Sequence, residues 1–337
     1  MIQKLNLINY KSFLSQDLHF SPLTVLTGLN ASGKSSVINA IRIINYICKN
    51  KTIENSEKFN LSFLRSKLTK DNFYELNMRL NNSVYGIKIS EDPEKGISGE
   101  IIAPDLIQKY KISYISADRF GPRNTLPKTN LLELDNVGEY GESSISFLER
   151  NEYEKVPENL RLNPTSESLK DCVNDWLGVI AENVSLSYKI TPSSNEYSVF
   201  YNDILPTETG FGLSYSLPVI ISLLSMKTGI LLIENPEAHL HPAAQSALGG
   251  LIAKSAANGK QIIVETHSDH IIDGIRIASK NNEIEKEDIS ILFFERQGVD
   301  TPSSVKNIKV LDNGKLNEWP NNFFDQNLKD KAILAKR

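Results

Sequence analysis

Cysteine is scarce: Cys48 and Cys172 are the only two in 337 residues. They stand far apart, each inside a helical pattern, so neither a disulfide framework nor a zinc knuckle can be built from them, and both read as buried thiols. Long apolar runs are missing too. The longest, Ser216 to Leu224 and Ile230 to Ile233, fall well short of the roughly 20 residues that span a bilayer, and the first residues lack a signal-peptide pattern. The expected location is therefore cytoplasmic, with no membrane partner. Nor is there an excess of charge: a net −4 gives no field to collect nucleic acid, so any DNA contact needs a local basic patch. Internal repeats and low-complexity tracts are absent. What remains, 40% apolar and 23% charged residues, suits a globular chain with one large core or two modest ones.

Ile2, Leu5, Leu7 and Ile8 alternate, and the run Leu23 to Thr27 leads directly into the segment Gly28-Leu29-Asn30-Ala31-Ser32-Gly33-Lys34-Ser35. Beyond it Val37, Ala40, Ile41, Ile44 and Ile47 share one face of a helix. Between Asn50 and Asn130 the pattern is irregular except for a hairpin, in which Leu76, Met78 and Leu80 face Tyr85, Ile87 and Ile89 across Asn81-Asn82-Ser83. Glu133 to Asn163 reads as loop or insertion, Leu169 to Ile180 as an amphipathic helix, and Leu186 to Tyr201 as a second hairpin. The last third alternates: helix from Ser214 to Met226, strand Ile230 to Ile233, helix from Pro242 to Ala257, strand Gln261 to Val264, helix from Ser268 to Ala278, strand Ile289 to Phe294. Helical crossovers between strands imply a parallel sheet. Lys329, Lys331, Lys336 and Arg337 form a small basic tail that reads as solvated.

Three of these segments carry chemistry. The first fits G-x-x-x-x-G-K-[ST] between a strand and a helix, the context of a phosphate-binding loop. Backbone amides and the positive helix end would cradle the phosphates of ATP, Lys34 would reach the β and γ oxygens, and Ser35 would ligate Mg2+. The second, Ile230 to Glu237, is a buried strand that delivers Glu234 at its C-terminal end, where it would hold the magnesium with Ser35. The third places His267 after the next strand, at the same edge of the sheet, as a γ-phosphate contact. Four of the five histidines, His239, His241, His267 and His270, crowd this region, but their spacing does not suit zinc. Tyr114 to Arg123 reads as a strand running into a turn; Arg119 there is expected to form a surface ion pair with Asp118, with Arg119 or Arg123 reaching a phosphate as the alternative.

Taken together, Asn9-Tyr10-Lys11-Ser12-Phe13, the glycine loop, Ile233 to Pro242 and Thr266-His267-Ser268 resemble the ABC-type ATPases of the RecF, SMC and OLD group. The resemblance covers about the first 45 residues and residues 205 to 325. It implies an α/β P-loop NTPase head with a parallel core sheet, an N-terminal antiparallel lobe and a helical insertion. The implied division is 1–48 for the N-terminal strands, loop and helix, 49–204 for the antiparallel lobe and insertion, 205–325 for the signature, acidic-strand and histidine region, and 326–337 for a tail. In that family two heads sandwich two ATP molecules, a signature segment of one head completing the site of the other. The counterpart here is Thr209 to Ser214, with Gly210, Gly212 and Ser214 as its contacts. Asn30, Ala31, Ser32, Gly33, Lys34, Ser35 and Ser36 are the implied nucleotide contacts of the loop, and Lys11 and Ser12 lie near adenine or ribose.

One departure matters. Family members commonly place a glutamate directly after the magnesium-binding acid as general base, and here that residue is Asn235, whose amide accepts no proton at neutral pH. Slow hydrolysis is the expectation, with Glu237 as the substitute base or Asn235 positioning the water. About 40 residues follow Phe294, too few for the nuclease domain of OLD proteins, and no heptad stretch suggests SMC arms. The implied role is the homodimeric switch subunit of a DNA-linked repair or anti-phage system, beside a separate effector such as a nuclease. The rival readings are a non-catalytic module clamped by ATP and, less well supported, a transporter ATPase.

Overall fold

The computed structural model describes residues 1–53, 59–92, 94, 96–102, 110–130, 134–191 and 194–335. The chain divides into two units: Met1–Ile112, Glu287–Leu311 and Lys315–Arg337 make the first, Ser113–Lys286 and Asp312–Gly314 the second. The first opens with β1 (Ile2–Tyr10), β2 (Phe13–His19) and β3 (Leu23–Gly28), then α1 (Lys34–Asn50). β4 (Phe73–Leu80), β5 (Ser83–Asp92) and β6 (Gly96–Ile102) follow as a meander. Leu76, Met78 and Leu80 are fully buried, as are Tyr85, Ile87 and Ile89, so period-two alternation puts one face of the hairpin in the core. The pairing Leu80↔Ser83 leaves Asn81 and Asn82 as the turn, and Asn81 takes the left-handed φ of 52° that asparagine tolerates better than other residues with a Cβ. These strands form a five-stranded antiparallel sheet, ordered β2-β1-β4-β5-β6. β6 lies in the stretch whose sequence looked irregular; residues of both its faces are exposed, so it carries little apolar patterning.

The second unit follows β7 (Ile112–Ile115) with β8 (Thr125–Pro127), α2 (Ser144–Asn151), α3 (Leu169–Ile180), β9 (Leu186–Thr191) and β10 (Glu196–Tyr201). α2 corrects the expectation of loop across this insertion, although Glu133 lies outside the described residues. α3 matches its expected span: Ser168 caps it by accepting the Asp171 amide at 3.1 Å, and Leu169, Cys172, Val173, Trp176 and Leu177 form its buried stripe, as three- and four-residue spacing requires. β8, β10 and β9 make a three-stranded sheet. Then come α4 (Phe211–Ser225), β11 (Gly229–Glu234), α5 (Pro242–Ala257), β12 (Lys260–Glu265) and α6 (Asp269–Lys280). β11 and β12 run parallel, with Glu234 opposite Glu265 at their C-terminal ends. Their central residues, Ile230 to Ile233 and Ile262 to Val264, are apolar and buried because parallel strands are covered on two faces.

The chain then returns to the first unit as β13 (Ile289–Glu295), parallel to β3, and β14 (Ser304–Ile308), antiparallel to β13. α7 (Gln326–Leu334) ends the described chain. Lys329 of the basic tail is paired with Asp325 at 2.9 Å, whereas Lys336 and Arg337 fall outside the described residues. No described helix is long and apolar enough to cross a membrane. Both cysteines are free and buried.

One buried cation has a consequence for stability. Lys260 is 2% exposed, and its ammonium donates to the Leu223 carbonyl at 2.5 Å and the Ser255 hydroxyl at 2.8 Å. Burial draws its pKa down to about 7. The folded state therefore resists the proton that the unfolded chain accepts near 10.5, so stability falls as pH drops through that interval and the cost is complete below about pH 7. Ser255 already satisfies the Leu223 carbonyl at 2.6 Å. Lys260→Met is expected to raise the thermal midpoint at about pH 6 by several degrees and by much less at about pH 10. Circular dichroism melts at the two pH values check this, and equal shifts at both would remove ionisation as the cause.

Candidate functional site

Gly28 ends β3 at φ 134°, where an added Cβ would lie 2.1 Å from the Phe294 carbonyl oxygen, and Gly33 enters α1 at φ 104°, where one would meet the Phe13 ring at 2.6 Å. Only glycine fits either place. Between them the loop is fastened to itself: the Ser32 hydroxyl donates to the Leu29 carbonyl at 2.7 Å, and the Lys34 ammonium donates to the Gly28 and Leu29 carbonyls at 3.0 and 2.8 Å. α1 starts without a side-chain cap and without an acidic residue in its first turn. The positive end of its dipole thus meets no negative side chain of its own first turn, which favours an anion in front of it.

In front of this helix end is an open cleft of about 450 Å³, lined by Lys11, Ser12, Ala31, Ser32, Gly33, Lys34, Ser35 and Ser36, together with Arg65, Lys67, Leu68, Arg296 and Val299. The lining includes every nucleotide contact expected in this unit except Asn30, which is exposed. Ser12 is 6% exposed and bound to Ser303, hydroxyl to hydroxyl at 2.7 Å and carbonyl to amide at 2.9 Å. Its side chain thus fixes the wall of the cleft. Arg65, Lys67 and Arg296 were not legible as site residues, since they come from segments without a motif. Arg65 is held by Glu91 at 2.7 Å, and Arg296 donates to the Thr301 carbonyl at 2.8 Å and to the Val299 carbonyl.

In the second unit the parallel register of β11 and β12 gathers Glu234, Asn235, Glu237 and His267 at one end of two strands. The turn after β11 is tightly specified. The Asn235 amide donates to the Glu265 carbonyl at 2.9 Å, and Asn235 itself sits at φ 45°, a conformation asparagine tolerates better than glutamate. Among the described residues its side-chain Oδ1 is buried with no hydrogen-bond partner. Glu237 accepts the His267 amide on Oε1 at 2.7 Å, while its Oε2 is buried and unpartnered among the described residues. Burial pushes the Glu237 carboxyl above its ordinary value, against the opposing pull of the His267 amide, the Thr266 hydroxyl and the Arg119 charge. The His267 ring is exposed.

Arg119 overturns the expectation of a surface ion pair with Asp118. It is 2% exposed and donates to four backbone carbonyls: Tyr215 at 3.0 Å, Ser116 at 2.8 Å, and Glu234 and Asn235 at 2.7 Å each. Desolvation lowers its pKa to about 10, with Glu237 the largest opposing influence.

The expected signature segment starts α4 earlier than its apolar periodicity indicated, because Gly210 serves as N-cap and Phe211 is already helical. Gly210 is exposed and Gly212 buried; a Cβ on Gly212 would approach the His239 carbonyl oxygen to 2.8 Å. Packing against the His239 turn accounts for that glycine. Ser214 is hydrogen-bonded with the Tyr201 hydroxyl. Phe211, 54% exposed, lies 5.3 Å from the His239 ring, and Tyr215 lies 4.6 Å from it.

Three family models match parts of this chain. A family model described as an AAA domain matches residues 4–175. A second, described as an AAA domain, putative AbiEii toxin of a type IV toxin–antitoxin system, matches residues 200–273. A third, of unknown function (DUF3696), matches residues 284–334. Among solved structures, an SMC head bound to the C-winged helix domain of ScpA is 16% identical, with 92% of this chain and 98% of that one covered and a TM-score of 0.57. An SMC head with an extended coiled coil, bound to the C-terminal domain of ScpA and derived from Pyrococcus furiosus, is 14% identical over the whole of both chains, with a TM-score of 0.52. At these identities the likeness is one of fold. A search of the curated proteins found no match.

Proposed function

This chain belongs to the AAA-domain family, and we propose that it is an ABC-type ATPase head of the RecF and SMC group that binds Mg-ATP in the cleft before α1 and dimerises around it. The observation that carries this reading is the glycine loop, fastened by Lys34 in front of an uncapped helix start. The exposed Ser35 hydroxyl of the first unit is a hard oxygen donor of the kind magnesium takes, as is the Glu234 carboxylate of the second. A bound magnesium would neutralise charge on the phosphates. Lys34 and the α1 amides orient the triphosphate, His267 contacts its γ-phosphate, and Glu237 takes the proton of the attacking water in place of the amide at Asn235. Gly210, Phe211 and Ser214 face the nucleotide of a second copy, so that each dimer encloses two ATP molecules.

With an amide at position 235, the dimer is a slow switch acting in the cytoplasm beside a separate effector protein, in a repair or anti-phage system linked to DNA. The match to a family described by a putative toxin supports a defence setting, and SMC heads bound to ScpA support a protein partner. A purely structural ATP clamp is the competing reading, favoured by the amide at Asn235, which accepts no proton at neutral pH. Sedimentation velocity should show the mass doubling on addition of Mg-ATP and returning to the monomer after its removal. A single mass with and without nucleotide would exclude the sandwich dimer.

A further inference from the structure

We propose that Arg119 is a positioning residue for hydrolysis, locking the first turns of α4 to the turn that follows β11, so that the catalytic groups are aligned only while α4 is in place. The inference rests on the ATPase reading above. A guanidinium buried this deeply is ordinarily matched by a carboxylate in a bidentate pair. Here the planar fork is instead spent on backbone. Nε takes the Tyr215 carbonyl on α4, one Nη is shared by the Ser116 and Glu234 carbonyls, and the other takes the Asn235 carbonyl. Three separate segments of the second unit thus meet on one rigid cation.

The placement explains what this side chain controls. Bonds to the carbonyls of Glu234 and Asn235 fix two successive peptide planes, and those planes set the direction of the Glu234 side chain and the left-handed φ of Asn235. Glu237, two residues further on, takes the His267 amide and is the largest influence that opposes the desolvation of Arg119, with the Glu234 carboxylate acting in the same direction. Tyr215 lies one turn into α4, behind Gly210 and Phe211. A partner pressing on the start of α4 therefore moves the same fork that holds the catalytic turn. Lysine cannot replace this arrangement, since a compact ammonium lacks the in-plane donors that reach four carbonyls on different sides.

The test is steady-state phosphate release by the full chain as wild type, Arg119→Lys and Arg119→Ala. Arg119→Lys is expected to stay folded by circular dichroism and to lose kcat by about 10- to 100-fold, with KM for ATP changed less than about threefold, because alignment fails while nucleotide binding persists. Guanidinium ion at low, non-denaturing concentration should restore part of the kcat of Arg119→Ala without altering its KM. The inference is overturned by an Arg119→Lys chain that turns over at the wild-type rate, by one that fails to fold, or by a folded Arg119→Ala chain that guanidinium does not rescue. A wild type that releases no phosphate above the Lys34→Ala background sinks the ATPase reading and this inference with it. Normal wild-type turnover with indifferent Arg119 variants sinks the inference alone.

Discussion

Phosphate release by Lys34→Ala is expected to fall at least about 100-fold, the scale on which a single preorganised donor to a developing charge acts. Two effects combine. In the proposed site the ammonium is the cation that the loop itself presents to the phosphates, and its bonds to the Gly28 and Leu29 carbonyls also hold the loop in its cradle. Ser32 continues to satisfy the Leu29 carbonyl, so the variant should fold with its thermal midpoint lowered by only a few degrees. Arginine should not substitute, because its broad fork does not match the point charge that Lys34 supplies. Turnover within twofold of wild type in Lys34→Ala would mean that the phosphates sit elsewhere.

The second large effect concerns Glu237. Glu237→Gln is expected to lower kcat by about 100-fold or more, the usual worth of a positioned general base, with little change in KM. The same substitution should raise stability near neutral pH. The sign follows from the direction of its shift: burial raises the folded-state pKa of this carboxyl, so the folded protein favours the proton and loses stability as pH climbs from the ordinary carboxylate value through the raised one. Glutamine removes that cost. A variant at once slower and more heat-resistant marks a group kept for chemistry. Wild-type kcat should climb with pH as this carboxyl ionises, a limb that Glu237→Gln lacks. Asn235→Glu completes the set: it is expected to accelerate turnover about tenfold, less than a full base contributes, because glutamate must adopt the φ of 45° that asparagine tolerates more readily. Wild-type turnover in Glu237→Gln would transfer the role of base to another residue.

Much of the candidate site was legible in the sequence because its proposed residues sit in contiguous motifs. The glycine loop, Glu234, Glu237 and His267 each follow a strand whose apolar run announces it, and the parallel register of β11 and β12 brings the last three together. The hairpin of β4 and β5 was readable from period-two alternation across an asparagine turn. Arg119 was not, since its partners Glu234 and Asn235 lie 115 and 116 residues away and no local pattern separates a buried arginine from a solvated one. Arg296 reaches the cleft only because β13 pairs with β3, again a long-range fact. The start of α4 was misplaced because Gly210 and Gly212 look like loop, whereas one caps the helix and the other packs against His239.

The central claim is that the glycine loop is a Mg-ATP site. Isothermal titration of the full chain with ATP in the presence of magnesium addresses it directly. Saturable binding of one nucleotide per chain, clearly weakened when magnesium is withheld, is the predicted result. Titration without saturable heat, or binding of equal strength with and without magnesium, would contradict it.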